Sequence, residues 1–205
     1  MREEFRPWHA FARSRGLHAL GASLAVLTVV TGLWGRYSVS FPQALTHLPT
    51  PVPVSVLMPL PFACLTVMSL HSGMGDFEAF AVRSVRRMNL GQLAAFLALS
   101  AAGMSLGLAA GGAWDTAGAA LRNLAWWAGV GCLSGLVFGW RLAWVAPLVT
   151  AVPMYVFAVA DDEVLPWAVP KLDASVPYSW FASFLLLATG LVLVAWRGSR
   201  VRRAR

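Results

Sequence analysis

The chain has 205 residues, 58% of them apolar and 12% charged, with a formal net charge of +7. Soluble domains carry about 25% charged residues, so this composition excludes an ordinary water-soluble fold and suits one compact membrane domain. The basic surplus is topological: thirteen of the sixteen Arg and Lys residues fall in every second polar segment between six apolar runs, and only Arg36, Arg122 and Lys171 fall in the others. That split is the positive-inside pattern of a multi-pass protein of the cell (plasma or inner) membrane with both termini cytoplasmic, in contact with anionic lipid and not with nucleic acid.

The predicted elements run as follows. Residues 1–16 precede the first apolar run, with Phe5, Trp8 and Phe11 at three-residue steps and Arg6, His9 and Arg13 mainly opposite. The spacing suits a short amphipathic entry helix lying in the headgroup layer, with Pro7 in its first turn, or else a basic tail held by lipid charge. A bilayer core of about 30 Å needs roughly 20 apolar residues per helix. Six spans are predicted within residues 17–196: Leu17–Trp34, Val52–Leu70, Leu90–Ala110, Leu124–Trp140, Leu142–Ala160 and Tyr178–Trp196. Read as one helix, Leu124–Ala160 would be about 55 Å long, so a tight turn at Arg141 is expected. Residues 197–205 form a basic cytoplasmic tail. The predicted fold class is therefore an all-α polytopic membrane protein in a single domain.

The first apolar run has no small-residue cleavage site and reads as a retained span. Pro51, Pro53, Pro59 and Pro61 in the second span, and Pro147 and Pro153 in the fifth, remove backbone donors, so both helices are expected to kink or break. Gly103, Gly107 and Gly111 form a small-residue row on the third span, and Gly131, Gly135 and Gly139 form one on the fourth. Such rows let backbones approach closely. They are expected to pack the two spans as an antiparallel hairpin, or one of them to form a dimer seam. Cys64 and Cys132 lie inside apolar runs and read as packing residues.

The polar segment after the second span carries Gly75, Asp76, Phe77, Glu78, Phe80 and Arg83, followed by Arg86 and Arg87. Acidic residues at its start and basic residues at its end complement a helix dipole, and the Phe77, Phe80, Ala81, Val85 and Met88 stripe is helical in spacing. This is a short helix on the cytoplasmic face. It either packs on lipid or docks a cytoplasmic partner.

Enzyme chemistry finds little support. Ser134-Gly135-Leu136-Val137-Phe138-Gly139 resembles the nucleophile helix of rhomboid intramembrane proteases, but His9, His18, His47 and His71 all fall outside spans four to six, so no base accompanies it. The histidines and cysteines have no metal-ligand spacing, and no G-xxxx-G-K-[ST] loop occurs. No catalytic residue, metal or cofactor is expected. His18 and His71 near the inner face read as interfacial caps, Asp161-Asp162-Glu163 as a solvated outer cap or a cation entry site, and Trp126, Trp127, Trp140, Trp144, Trp180 and Trp196 as interfacial belt residues. The span middles hold no charge, which disfavours a proton- or sodium-coupled pump.

Six spans with inside termini, the amphipathic entry, the acidic-then-basic helix between spans two and three, and Leu121-Arg122-Asn123-Leu124 leading into span four together resemble the permease subunit of type-2 ATP-binding-cassette exporters. The resemblance implies that Phe5, Trp8 and Phe11 belong to a membrane elbow. It implies that Gly75, Asp76, Phe77, Glu78, Phe80 and Arg83 belong to a coupling helix contacting a separate nucleotide-binding ATPase subunit, and that Asp161–Pro177 holds short outer helices. It further implies a homodimer or a paired permease, moving an apolar or amphipathic substrate such as a lipid, peptide or natural product. The chain is shorter than most such permeases, and Gly75–Phe80 matches the family's acidic Gly-Thr-Leu-Glu-like pattern in part. The alternative is a non-transporting accessory, immunity or scaffold subunit that uses the same faces to bind a partner.

Overall fold

The computed structural model describes residues 16–45, 49–71, 85–160 and 163–200, and these are mostly helical. In chain order come α1 (Leu17–Trp34), an antiparallel hairpin of β1 (Ser38–Phe41) and β2 (Thr50–Pro53), α2 (Val54–Leu57), α3 (Pro59–Met68) and α4 (Val85–Ala110). A 3-10 turn at Trp114–Thr116 leads into α5 (Ala117–Phe138), and another at Trp140–Leu142 leads into α6 (Val145–Val156). A small hairpin of β3 (Val159–Ala160) and β4 (Glu163–Val164), a 3-10 turn at Val169–Lys171 and α7 (Pro177–Arg200) complete the described residues.

Three stretches, Leu17–Trp34, Met88–Ala110 and Pro177–Trp196, are long and apolar enough to cross a membrane. They are compatible with a membrane protein. The other apolar runs differ from their predicted extents, each for a local reason. Val52–Leu70 is not one helix: Val52 pairs with Val39 in the hairpin, and Pro59 and Pro61 deprive the carbonyls of Ser55 and Leu57 of their helical donors, so the helix breaks at Met58. Leu142–Ala160 is helical only over Val145–Val156, because Leu142 closes a 3-10 turn and Val159–Ala160 pair with Glu163–Val164. Span four does not start at Leu124. Its helix starts at Ala117 and takes in Arg122 and Asn123. Its other end stops at Phe138, where Gly139 takes a φ of 87° that an L side chain rarely adopts, and the chain turns back through Arg141.

Side-chain contacts fix the helix directions. Thr28, Thr31 and Gly32 of α1 meet Gly103, Gly107 and Gly111 of α4 in the same order, so these two run parallel. Gly129 and Cys132 of α5 meet Leu186 and Gly190 of α7, also parallel, while Val56 and Val67 meet Asn123 and Gly131 in order. Thr66 and Ser69 meet Ser100 and Gln92 in reverse order, so α3 and α4 are antiparallel. The main helices therefore alternate in direction along the chain. Both hairpins and the 3-10 turns at 114–116 and 169–171 follow or precede helices at one end of the bundle, and the Arg141 turn lies at the other.

The core centres on α5, which packs most extensively on α7 and α3. Trp127 and Ala128 of α5 are buried among Phe62, Met104, Leu108 and Tyr155. Trp127 is thus a core residue and not part of an interfacial belt, whereas Trp34, Trp114, Trp167 and Trp196 are exposed. α1 and α7 lie at the periphery with most of their apolar side chains outward.

Candidate functional site

The chemically distinctive place in the described structure is a polar centre inside the bundle, built around two adjacent α5 residues. Arg122 and Asn123 are both fully buried. The Arg122 Nε and Nη2 atoms donate to Asn123 Oδ1 at 3.1 and 3.0 Å. Nη1 donates to the Asp173 carbonyl at 3.0 Å and to Ser179 Oγ at 3.1 Å. Nη2 also donates to the carbonyls of Leu172 at 2.9 Å and Pro170 at 3.4 Å. Asn123 turns its amide nitrogen the other way, to the Pro170 carbonyl at 2.8 Å and the Val56 carbonyl at 3.3 Å.

A buried guanidinium is tolerable only when its donors are met, and here carbonyl dipoles and an amide meet them without a carboxylate contact. The broken helix supplies part of the answer. The Val56 carbonyl, next to the proline break, also accepts from the Tyr155 hydroxyl at 3.3 Å. Phe41 of the β1–β2 hairpin stacks on Tyr155, with ring centroids 5.7 Å apart, while Gln43 Nε2 donates to the Tyr155 carbonyl at 3.0 Å and the Ala44 N–H to the Val156 carbonyl at 2.9 Å. One α5 dipeptide thus ties the segment 170–173, the start of α7, the kinked α2–α3 unit and α6 into one network. Asp173 holds its carboxylate outside, where the Ser175 backbone N–H and hydroxyl keep its pKa below the ordinary value. Lys171 is partly buried, its Nζ has no hydrogen-bond partner among the described residues, and burial lowers its pKa. The shared acceptors hold the geometry of these segments.

A second polar set joins α3 to α4. Thr66 Oγ1 and Ser100 Oγ are 2.7 Å apart, Ser69 Oγ donates to the Thr66 carbonyl at 2.6 Å, and Gln92 Nε2 donates to the Ser69 carbonyl. Ser134 is likewise a connector: its Oγ donates to the Leu142 carbonyl at 3.2 Å and accepts the Ala146 N–H at 3.3 Å, which caps the start of α6.

The residues singled out in the sequence fall into two groups. Phe5, Trp8 and Phe11 of the entry helix lie outside the described residues, as do Gly75, Asp76, Phe77, Glu78, Phe80 and Arg83 of the coupling segment. The glycine rows are described, and they do not face each other. Gly103, Gly107 and Gly111 seat α1; a Cβ on Gly107 would lie 2.6 Å from the Thr28 carbonyl oxygen. Gly131 faces Val67 and Pro147, the Trp140 ring folds over Gly135, and Gly139 shapes the turn. The expected α4–α5 hairpin seam is therefore replaced by two intrachain seams to other helices. The tightest approach of α5 to α7 uses Gly129 and Gly190, where an added Cβ on Gly129 would lie 2.8 Å from the Leu186 carbonyl carbon.

Arg122, Asn123, Tyr155 and Ser179 were not among the predicted site residues. An Arg-Asn pair in an otherwise apolar helical run was the available signal, and counting Arg122 with the exposed basic residues hid it. Cys64 and Cys132 are buried free thiols, and His18 and His71 are exposed. Among the described residues no group of three His, Cys, Asp or Glu side chains comes together to hold a metal. No protein-family model, no curated protein and no solved structure matches this chain.

Proposed function

We propose that the chain is the six-span membrane subunit of an ATP-powered exporter, with its ATPase on a separate polypeptide and an apolar or amphipathic substrate. The carrying observation is the agreement of helix direction with charge. Helices α1, α3, α4, α5, α6 and α7 alternate in direction, and the basic residues cluster at one end: Arg86 and Arg87 in the first turn of α4, Arg141 in the α5–α6 turn, and Arg197 and Arg200 at the end of α7. Moving Arg122 into the core leaves Arg36 and Lys171 at the opposite end, which sharpens the asymmetry.

The interior around α5 is packed, so a substrate route in this reading runs between two copies along their peripheral helices. The same packing favours the second reading, a non-transporting subunit that binds a partner protein.

Two measurements test the proposal. Reporters fused after Asn89, at Arg141 and after Arg205 should report the cytoplasm, and those at Thr116 and Asp162 the outside; matching sides for Arg141 and Asp162 would end the six-span reading. The double variant Asp76→Ala, Glu78→Ala should stay folded yet lose co-purification with the proposed ATP-binding subunit, or lose substrate-stimulated ATP hydrolysis. Arg83→Ala should act more weakly. Unchanged binding and turnover in the acidic double variant would transfer the conclusion to the second reading.

A further inference from the structure

An open groove of about 600 Å³ lies where α1 and α4 end side by side, lined by Gly32, Leu33, Arg36, Tyr37, Ala110 and Gly111. We infer that it holds an anionic phospholipid by its headgroup, an assignment that rests on the membrane reading above.

Three observations point to this ligand. The first is position. The apolar stretches of α1 and α4 finish at Trp34 and Ala110, so a groove built on Gly32–Tyr37 and Ala109–Gly112 stands at the ends of two apolar helices, the level at which headgroups lie. The second is charge. Arg36 and Tyr37 are both exposed. A planar guanidinium beside a phenol offers a fork and a further donor to a phosphate. The third is an apolar track. Val26, Val29 and Leu33 share one helical face and are 62%, 60% and 58% exposed, so the stripe runs from the groove along the second half of α1. It gives an acyl chain a continuous path from a headgroup seated at Arg36. The close approach of α1 to α4 at Gly32, Gly107 and Gly111 keeps the floor shallow and free of side chains.

The probe is a lipid, read by a local reporter. Trp34 is replaced by Cys and labelled with bimane, both native cysteines being buried. The protein is reconstituted in vesicles carrying brominated phosphatidylglycerol or brominated phosphatidylcholine with the same acyl chains. Quenching by the anionic lipid should set in at a roughly five- to tenfold lower mole fraction than by the zwitterionic one. Arg36→Gln should abolish that preference while leaving phosphatidylcholine quenching as it was. Leu33→Asn should weaken quenching by both. Arg141→Gln removes the same charge at the other end of the bundle and should leave the preference intact. The inference is overturned if Arg36→Gln retains the preference, if Arg141→Gln loses it equally, or if millimolar inorganic phosphate relieves the quenching. Failure of the membrane reading looks different: the protein would then not incorporate into vesicles, and neither lipid would quench.

Discussion

Arg122→Lys isolates what the fork geometry contributes, because it keeps the buried charge and shortens the reach. The guanidinium serves five acceptor groups: Asn123 Oδ1, Ser179 Oγ and the carbonyls of Pro170, Leu172 and Asp173. An ammonium has three donors on one nitrogen, so at least two acceptors lose their partner. Pro170 keeps the Asn123 amide and Ser179 keeps its own donation to the Val176 carbonyl. Six hydrogen bonds fall to at most three, and the acceptors with no second donor are Asn123 Oδ1 and the Leu172 carbonyl, since the Asp173 carbonyl keeps the Val176 N–H. At about 1 kcal/mol for each lost bond, the segment 169–176 should be less securely closed by about 2–3 kcal/mol. Trypsin reads this at Lys171, which is locked in the 3-10 turn Val169–Lys171. Where opening is fast relative to cleavage, the cleavage rate follows the open population, so it should rise about 30- to 150-fold. The assay follows the fragment beginning at Leu172 by mass while far-ultraviolet circular dichroism checks that the helices persist. An Arg122→Lys protein cut at the wild-type rate would refute the claim that the fork holds this segment.

Gly107→Leu and Gly135→Leu should each lower the midpoint of thermal unfolding in detergent, and because they meet α1 and Trp140 respectively, their effects should add to within about 0.5 kcal/mol; a strongly sub-additive double variant would mean that they share a contact. Thr66→Val and Ser100→Ala should show a coupling of about 0.5–1.5 kcal/mol in a double-mutant cycle, read by unfolding in mixed micelles, and zero coupling would remove the hydroxyl pair as an α3–α4 connector. Lys171→Met should raise stability at neutral pH by removing an ammonium with no partner. The sign follows from protons bound: burial lowers the folded pKa below 10.5, so the unfolded chain binds more protons between the lowered value and 10.5, and stability rises with pH across that window. The advantage of Lys171→Met over the wild type should shrink as pH is raised toward 10.5, and a constant advantage would show that titration plays no part.

Much of the helical frame could be read from apolar run length. Leu17–Trp34 is a helix with those ends, and the third run ends at Ala110 as its hydropathy dictates. The length argument at Arg141 succeeded because geometry forbids a helix of about 55 Å within about 30 Å of hydrocarbon, and the chain does turn there. Where sequence reasoning fell short, the deciding partner lay far along the chain. Nothing near Arg122 announces the carbonyls of residues 170–173, some fifty residues on, that make its burial possible. Trp127 has the composition of a belt residue, and only the packing of Phe62, Met104 and Tyr155 around α5 makes it a core one. The glycine rows showed that close contacts exist, but a row of small residues does not name its partner; the match of Gly111 to Gly32 and of Gly129 to Leu186 needed three dimensions. The extended ends of spans two and five were hidden for a similar reason, since strand pairing of Val52 with Val39 and of Val159 with Val164 competes with helix over the same apolar residues.

That competition leaves two helices short. Val54–Met68 has fifteen residues and α6 has twelve, which gives lengths of about 22 and 18 Å against about 39 Å for α4. The two short helices are neighbours, since Val67 and Pro147 converge on Gly131. No residue of Val54–Met68 is exposed, so in the six-span reading only α6 borders lipid, which must thin there by roughly 12 Å or leave apolar tails facing hairpin backbone, a hydrophobic mismatch that costs a fraction of a kcal/mol for each ångström. In that reading the flank at α6 is where the two aqueous surfaces come closest.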